Sequence, residues 1–377
     1  MHILIAPNAF KNSLSAAAAA DAIKEGLMES SLSCTCECFP VGDGGDGTGE
    51  LIVQHCKGVS VHAEVHDPIG RKINVSFGLI DDGKTAVIEM ADASGLRLLK
   101  PGEADPLHAS SFGTGELIKH ALDKNVNKII LCIGGSATID GATGILQALG
   151  VRFLDKDGNE LDNLPVSLID LEAFDLSALD KRIMNCELVI LCDVENFLLG
   201  KDGAANVFGP QKGAGLSQVI KLEAALSKFS DIVYRQMNKS MALIKHGGAA
   251  GGVAAGLAVL LNAKLVNGID HFLLLTHFKE ALNKAGLVIT GEGSIDIQTL
   301  QGKGPFGVAK LAKQKGIPVI GLAGKIPLEI PAIMQQYFDV LLSINREPVE
   351  ISKALAETAH NLKQAARSVG EMIAIRH

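Results

Sequence analysis

Apolar and polar positions alternate in blocks along this chain, and the first block reads as strand, loop and helix. HILIAP is an apolar run, NAFKNSLS is a polar loop, and an alanine-rich stretch over 16–28 has helical character, with Ser13 and Ser15 as the candidates for its cap. A second strand over 35–41 leads into GDGGDGTGE and a helix over 49–55. From residue 59 the period changes to two, in VSVHAEVHD, RKINVSFGLI and KTAVIEMADA, broken by Asp67-Pro68 and Asp82-Gly83. That pattern predicts an antiparallel meander. A helix over 115–122 precedes the buried strand KIILCI, CELVILCDV is a strand of the same kind, and helices cover 216–237 and 252–261.

The last quarter returns to the rhythm of the start. LVITGEGS, a helix over 308–315, PVIGLAG, another helix and DVLLSIN precede a long C-terminal helix. The expected fold is therefore α/β with two domains. Residues 1–60 and 287–377 form a doubly wound, Rossmann-like (flavodoxin-like) parallel-sheet domain, and 61–286 are inserted as a mixed α/β domain. Ligands are expected in the cleft between them. No internal repeat is evident.

Composition sharpens this picture. A chain of 377 residues, 47% hydrophobic, exceeds one ordinary core. A net charge of −7 gives no basic face for a polyanionic backbone, so no nucleic-acid partner is expected. The apolar start breaks at Pro7, too early for a signal segment or a membrane span, and the expected location is the cytoplasm. Seven cysteines are not a disulfide framework, and Cys34, Cys36 and Cys38 read as one face of a strand ending at Pro40. His62 and His66 lie in a strand-like stretch, too far apart to chelate tightly.

The 41 glycines gather in loops after predicted strands. These are GDGGDGT with Gly44 and Gly45, GGSATIDG with Gly134, Gly135, Ser136 and Asp140, HGGAAGG, and GEGSID beginning at Gly291. Glycine lets the backbone approach an anion, and carboxylates among the glycines suit phosphate with a hard cation. No Walker A loop, protein-kinase catalytic loop, dinucleotide fingerprint or hydrolase elbow occurs. Lys11 follows the first strand, where an ammonium reaches a carboxylate or phosphoryl group. Asp193 closes LVILCDV at the strand end where α/β ligands bind. Glu292, Asp296, Gln298 and Lys303 form the densest polar set.

At these loops the sequence resembles the bacterial type I glycerate kinase family. The matching blocks are APNAFKNSLSA, VGDGGDGTGE, DPIGR, IEMADASGL, FGTGELI, GGSATIDGATG, ILCDVEN with VFGPQKGA, GGAAGG and TGEGSIDIQTLQGKGPFGVA, in family order from residue 6 to about 309. The chain departs from the usual family form with Asn8-Ala9 for Asp-Ser, Asn12 for Gly, Asp46 for Glu and Phe197 for Pro.

The resemblance implies ATP and Mg²⁺, D-glycerate as acceptor and 2-phosphoglycerate as product, in glycerate/glyoxylate or sugar-acid catabolism. The expected roles are Asp193 or Asp296 as base, Glu292 or Asp43 near the metal, and Lys11 or Lys303 on anionic oxygens. Asn8, Ser13, Gly44, Gly45, Gly134, Gly135, Ser136, Asp140, Gly291, Gln298 and Lys303 are expected to bind substrate or nucleotide. Which loop holds ATP stays open, as does the choice between monomer and homodimer. The competing readings are a kinase for another small hydroxy acid, a catalytically silent glycerate or nucleotide sensor, and, more weakly, an NAD-dependent reductase.

Overall fold

In the structure, a computed structural model that describes residues 1–375 apart from the side chain of residue 301, the first apolar run forms the strand His2–Ile5. It lies inside a five-stranded sheet with Val340–Ser343, Val319–Lys325, Leu287–Ser294, His2–Ile5 and Thr35–Cys38 in that order. Every neighbouring pair is parallel, with Ile3 opposite Leu287 on one side and Cys36 on the other. Counted along the chain, the order is 2-1-3-4-5, the flavodoxin-like arrangement expected. It reverses between His2–Ile5 and Leu287–Ser294. Ligand crevices of such sheets open outside the strand ends at that reversal.

Burial explains why both chain ends join this sheet. Ile3, Ile5, Leu287 and Ile289 share a core with Ile23 and Leu27 of the helix Ala16–Met28 and with Leu362 and Val369 of the helix Thr358–Ala374. Ser15 is the cap of the first helix, accepting from Ala18 N at 3.2 Å. Ser13 instead donates to the carbonyl of Leu355 at 2.5 Å. Cys34, Cys36 and Cys38 are half-buried against this core, as expected of a strand face, with 3.9 Å between the first two sulfurs.

A second, six-stranded sheet has the order Lys264–Asn267, Glu187–Cys192, Lys128–Cys132, Thr85–Glu89, Lys72–Ile80 and Val59–His66. Glu187–Cys192, Lys128–Cys132 and Thr85–Glu89 are parallel, and the last three strands of the order form the antiparallel meander read from the period-two stretch. Its core gathers Ile88, Leu117, Leu131, Ile145, Ile190 and Phe229. A two-stranded pairing of Arg152–Leu154 with Ala173–Asp175 was not expected, since three-residue strands carry too little pattern. His62 is exposed, and His66 Nδ1 lies 2.9 Å from Glu116.

The chain separates into two compact units, Met1–Asp43 with Asn267–His377, and Gly44–Val266. These borders differ from 60 and 287. The helix Thr48–His55 lies against Lys72–Ile80 and Thr85–Glu89, where Gly78 leaves room for Val53; a methyl on Gly78 would sit 2.0 Å from Val53 Cγ2. Helix Phe278–Leu282 belongs to the first unit, with the Phe278 ring 5.1 Å from that of Phe39. Neither border is marked by a linker-like composition. Among the described residues, no helix is long and apolar enough to cross a membrane.

Candidate functional site

The first unit concentrates its polar chemistry at the strand reversal. The backbone continues the sheet ladder past the strand end, with Ala6 N on Ile289 O at 2.7 Å and Asn8 N on Gly291 O at 2.8 Å. This lays the loop after the first strand alongside the strand Leu287–Ser294. Asn8 is buried, donates from Nδ2 to Asp43 Oδ2 at 2.7 Å and accepts from Ala9 N at 2.8 Å. Asp43 also takes Gly304 N, at the start of the helix Gly304–Gln314, at 3.4 Å. A buried carboxylate thus meets the positive end of a helix.

Glu292 lies in the same set. It is buried and accepts from Thr299 Oγ1 at 3.0 Å. Burial pushes its carboxyl up to about 7, with Lys303 opposing, Asp43 adding to the rise, and Thr299 and Lys11 opposing. Asp296 is half-buried and caps the short helix Ile297–Gln301, accepting from Gln298 N at 2.9 Å. Its own N–H goes to Thr299 Oγ1 at 3.1 Å. Thr299 therefore links the cap to Glu292. Lys11 and the side chain of Gln298 are exposed, and Lys303 is half-buried at the cap of the next helix. The structure thus brings together Asn8, Asp43, Gly291, Glu292 and Lys303, with Lys11 electrostatically coupled to Glu292. Ser13, held by Leu355, is engaged with the chain itself.

In the second unit, two glycine loops meet backbone to backbone. Gly134 N donates to Gly44 O at 3.0 Å, and a methyl on Gly134 would sit 2.5 Å from the Cα of Gly45. Only glycine permits that approach. Glu89, at the end of its strand, holds the first loop by accepting from Gly47 N at 2.9 Å, from Gly49 N, and from Glu50 N at 3.3 Å. Burial pushes its carboxyl up to about 7, Gly47 and Gly49 oppose, and Asp92 and Asp46 add to the rise. Arg97 pairs with Asp92 and lies 3.7 Å from Asp46.

The loop holding Gly135 and Ser136 is fixed from behind. Asp140 is fully buried and accepts from Ser111 N and Oγ, Ala142 N and Gly144 N, so this expected ligand-binding residue has its oxygens occupied by the fold. Lys212 Nζ, also buried, donates to Ser136 Oγ at 2.8 Å and to Thr138 O at 2.7 Å. Burial pushes its ammonium down to about 7, against the pull of Asp140. Asp193 is half-buried one residue beyond its strand, and the loop after it is pinned by His246 Nδ1, 2.6 Å from Val194 O, and by Gly248 N on Asn196 O at 2.9 Å.

Glu89, Lys212, Thr299 and Arg97 were not among the expected residues. Glu89 carries the same signal as Asp193, an acid closing an apolar strand. Lys212 carries none, since a lysine beside Pro210 and Gly213 reads as solvated.

Comparison with known proteins agrees with this architecture. The Glycerate kinase family matches residues 3–374. A glycerate 2-kinase of Escherichia coli K12 is 40% identical over 375 residues, 100% of this chain and 98% of that one. A glycerate kinase of Halalkalibacterium halodurans is 42% identical over 367 residues, 97% of each. A crystal structure of a Salmonella typhimurium LT2 protein, described as a glycerate kinase 2, superposes with a TM-score of 0.83 at 42% identity, covering 100% of this chain and 98% of that one. With the family matched from end to end, the chain belongs to the glycerate kinase family, and it is a phosphotransferase.

Proposed function

We propose that this enzyme transfers the γ-phosphoryl group of ATP to the 2-hydroxyl of D-glycerate, giving 2-phosphoglycerate, and that it does so in the cytoplasm with Mg²⁺. The observation that carries the reading is the buried pair Asp43 and Glu292 with Lys303 and Lys11 at the strand reversal of a flavodoxin-like sheet, in a chain matching glycerate kinases along its length. The E. coli relative named a glycerate 2-kinase supports the choice of hydroxyl.

Asp43 and Glu292 fit a hard cation. Among the described residues no group of three or more His, Cys, Asp or Glu side chains is gathered to hold a metal, and Mg²⁺ asks for only one or two carboxylates beside phosphate oxygens. When bound there, the ion neutralises charge on the phosphates. Lys11 and Lys303 are assigned to anionic oxygens and Asp193 to the acceptor proton, because Asp193 follows an apolar strand at the end where α/β ligands bind, whereas Asp296 caps a helix. The glycine loops at Gly44, Gly45, Gly134 and Gly135 offer backbone N–H groups to an anion.

The test is turnover by the purified protein with ATP and Mg²⁺. ADP release is expected with D-glycerate and far less with L-glycerate, lactate or glycerol, and NMR of the product should show phosphate on C2. Equal turnover of glycerol would remove the hydroxy-acid assignment, and phosphate on C3 would overturn the choice of hydroxyl. Binding without turnover would favour a sensor.

A further inference from the structure

Lys212 is a buried lysine without a salt bridge among the described residues. Its two hydrogen-bond partners, Ser136 Oγ and Thr138 O, are neutral, and Asp140, the charged group acting on it, already accepts from four donors. An ammonium has three N–H donors, so one is left over. Ser136 Oγ accepts from Lys212 and makes no other hydrogen bond among the described residues, so its own proton is uncommitted. Thr138 Oγ1 is buried and has no partner among the described residues. Three unspent donors thus surround one glycine loop, and buried donors normally have acceptors.

We propose that Lys212 is a positioning residue for an oxyanion, phosphate or carboxylate, bound on the loop at Gly134–Ser136, and that it acts by holding the Ser136 hydroxyl with its proton directed to that anion. The proposal rests on the reading of this loop as part of the substrate machinery. It adds a charge whose state depends on the ligand. Burial makes the ammonium costly in the free protein, and an arriving anion makes it favourable, so binding draws a proton onto Lys212.

The experiment is calorimetric titration of the whole enzyme with D-glycerate and, separately, with ATP, at about pH 8.5 in two buffers of different ionisation heat. Above pH 7 the free lysine is largely neutral, so the ligand that occupies the loop should bind with uptake of most of one proton. Which arm shows it identifies carboxylate or phosphate as the occupant. Lys212→Met should abolish the uptake and weaken that ligand roughly 10- to 100-fold, the scale of a lost hydrogen bond to a charged group. Ser136→Ala should weaken it while keeping the uptake, and serves if Lys212→Met folds poorly. A merely structural lysine would show no linked proton. Buffer-independent heats for both ligands overturn the proposal even where D-glycerate is turned over. Absent turnover defeats the functional reading alone, and the ATP arm then decides on Lys212; failure of both ligands to bind defeats both.

Discussion

Asn8 donates to Asp43 across 2.7 Å, so the residue that departs from the usual family acid is the neutral partner of a buried carboxylate. With its Oδ1 taken by Ala9 N, the amide satisfies both ends of its dipole. An aspartate at this position would place two carboxylates at hydrogen-bonding distance, beside a Glu292 whose carboxyl is already pushed up to about 7. Two such groups share a proton or bind a cation.

Asn8→Asp should therefore be less stable than the wild type in EDTA near pH 8, by about 1–3 kcal/mol, through loss of the buried hydrogen bond and like-charge repulsion. Saturating Mg²⁺ should raise its melting temperature more than that of the wild type. Thermal melts with and without metal check this, and a variant whose melting temperature rises with Mg²⁺ no more than that of the wild type would place the cation elsewhere.

Asp193 and Asp296 are separated by their places in the fold, one just beyond a strand end and the other at a helix cap. Asp296 accepts from Gln298 N as a cap, and asparagine caps almost as well, so Asp296→Asn should fold normally and keep turnover within about tenfold. Asp193→Asn should lower kcat by roughly two to four orders of magnitude, the range of general acid–base catalysis, with no recovery at high Mg²⁺. The reverse pattern would exchange their roles, and near-normal rates in both would leave Asp43 and Glu292 as the carboxylates to test.

Much of this was legible in the amino-acid order, for reasons that differ by element. Leu216–Met237 and Leu287–Ser294 match the elements read from periodicity because one presents a long apolar face and the other is a continuous buried run. Asn12 replaces a usual glycine yet sits at φ 62°, where asparagine is the next best residue. Glu292 was legible as an acid that follows the apolar run LVIT. Burial of Lys212 was not, because its enclosure depends on Ser136 and Thr138, more than seventy positions away. The unit border at Gly44 was hidden for a similar reason: Thr48–His55 reads as the helix of a βαβ start, and its bonds to Glu89 and the space at Gly78 assign it to the other sheet.

The charge state of Lys212 also leaves a mark on stability. Its ammonium is lowered from 10.5 to about 7, so between those values the unfolded chain holds a proton that the folded chain has released. Stability of the wild type should then rise with pH through this window, and the contribution is lost as pH falls through about 7. Glu89 and Glu292 act in a different range. Each is raised from 4.5 to about 7, so their contributions are present below 4.5 and are lost as pH rises through about 7. Above pH 7 the lysine is thus the distinguishing group. The raised thiols of Cys36 and Cys192 titrate at about 12 and cancel when two proteins differing only at residue 212 are compared. Lys212→Met removes the buried ammonium together with its two hydrogen bonds, so the absolute difference in stability mixes a relieved cost with a lost gain. Its pH dependence does not. Urea unfolding of both proteins should show the variant most favoured near pH 7 and the wild type gaining on it by about 1–3 kcal/mol by pH 9, at about 1.4 kcal/mol per unit of pH. A bound anion should flatten this trend in the wild type, because it stabilises the charged lysine, and should leave the variant unchanged. A stability difference constant from pH 7 to 9 would mean that the lysine keeps its proton in the free protein, with Asp140 outweighing burial.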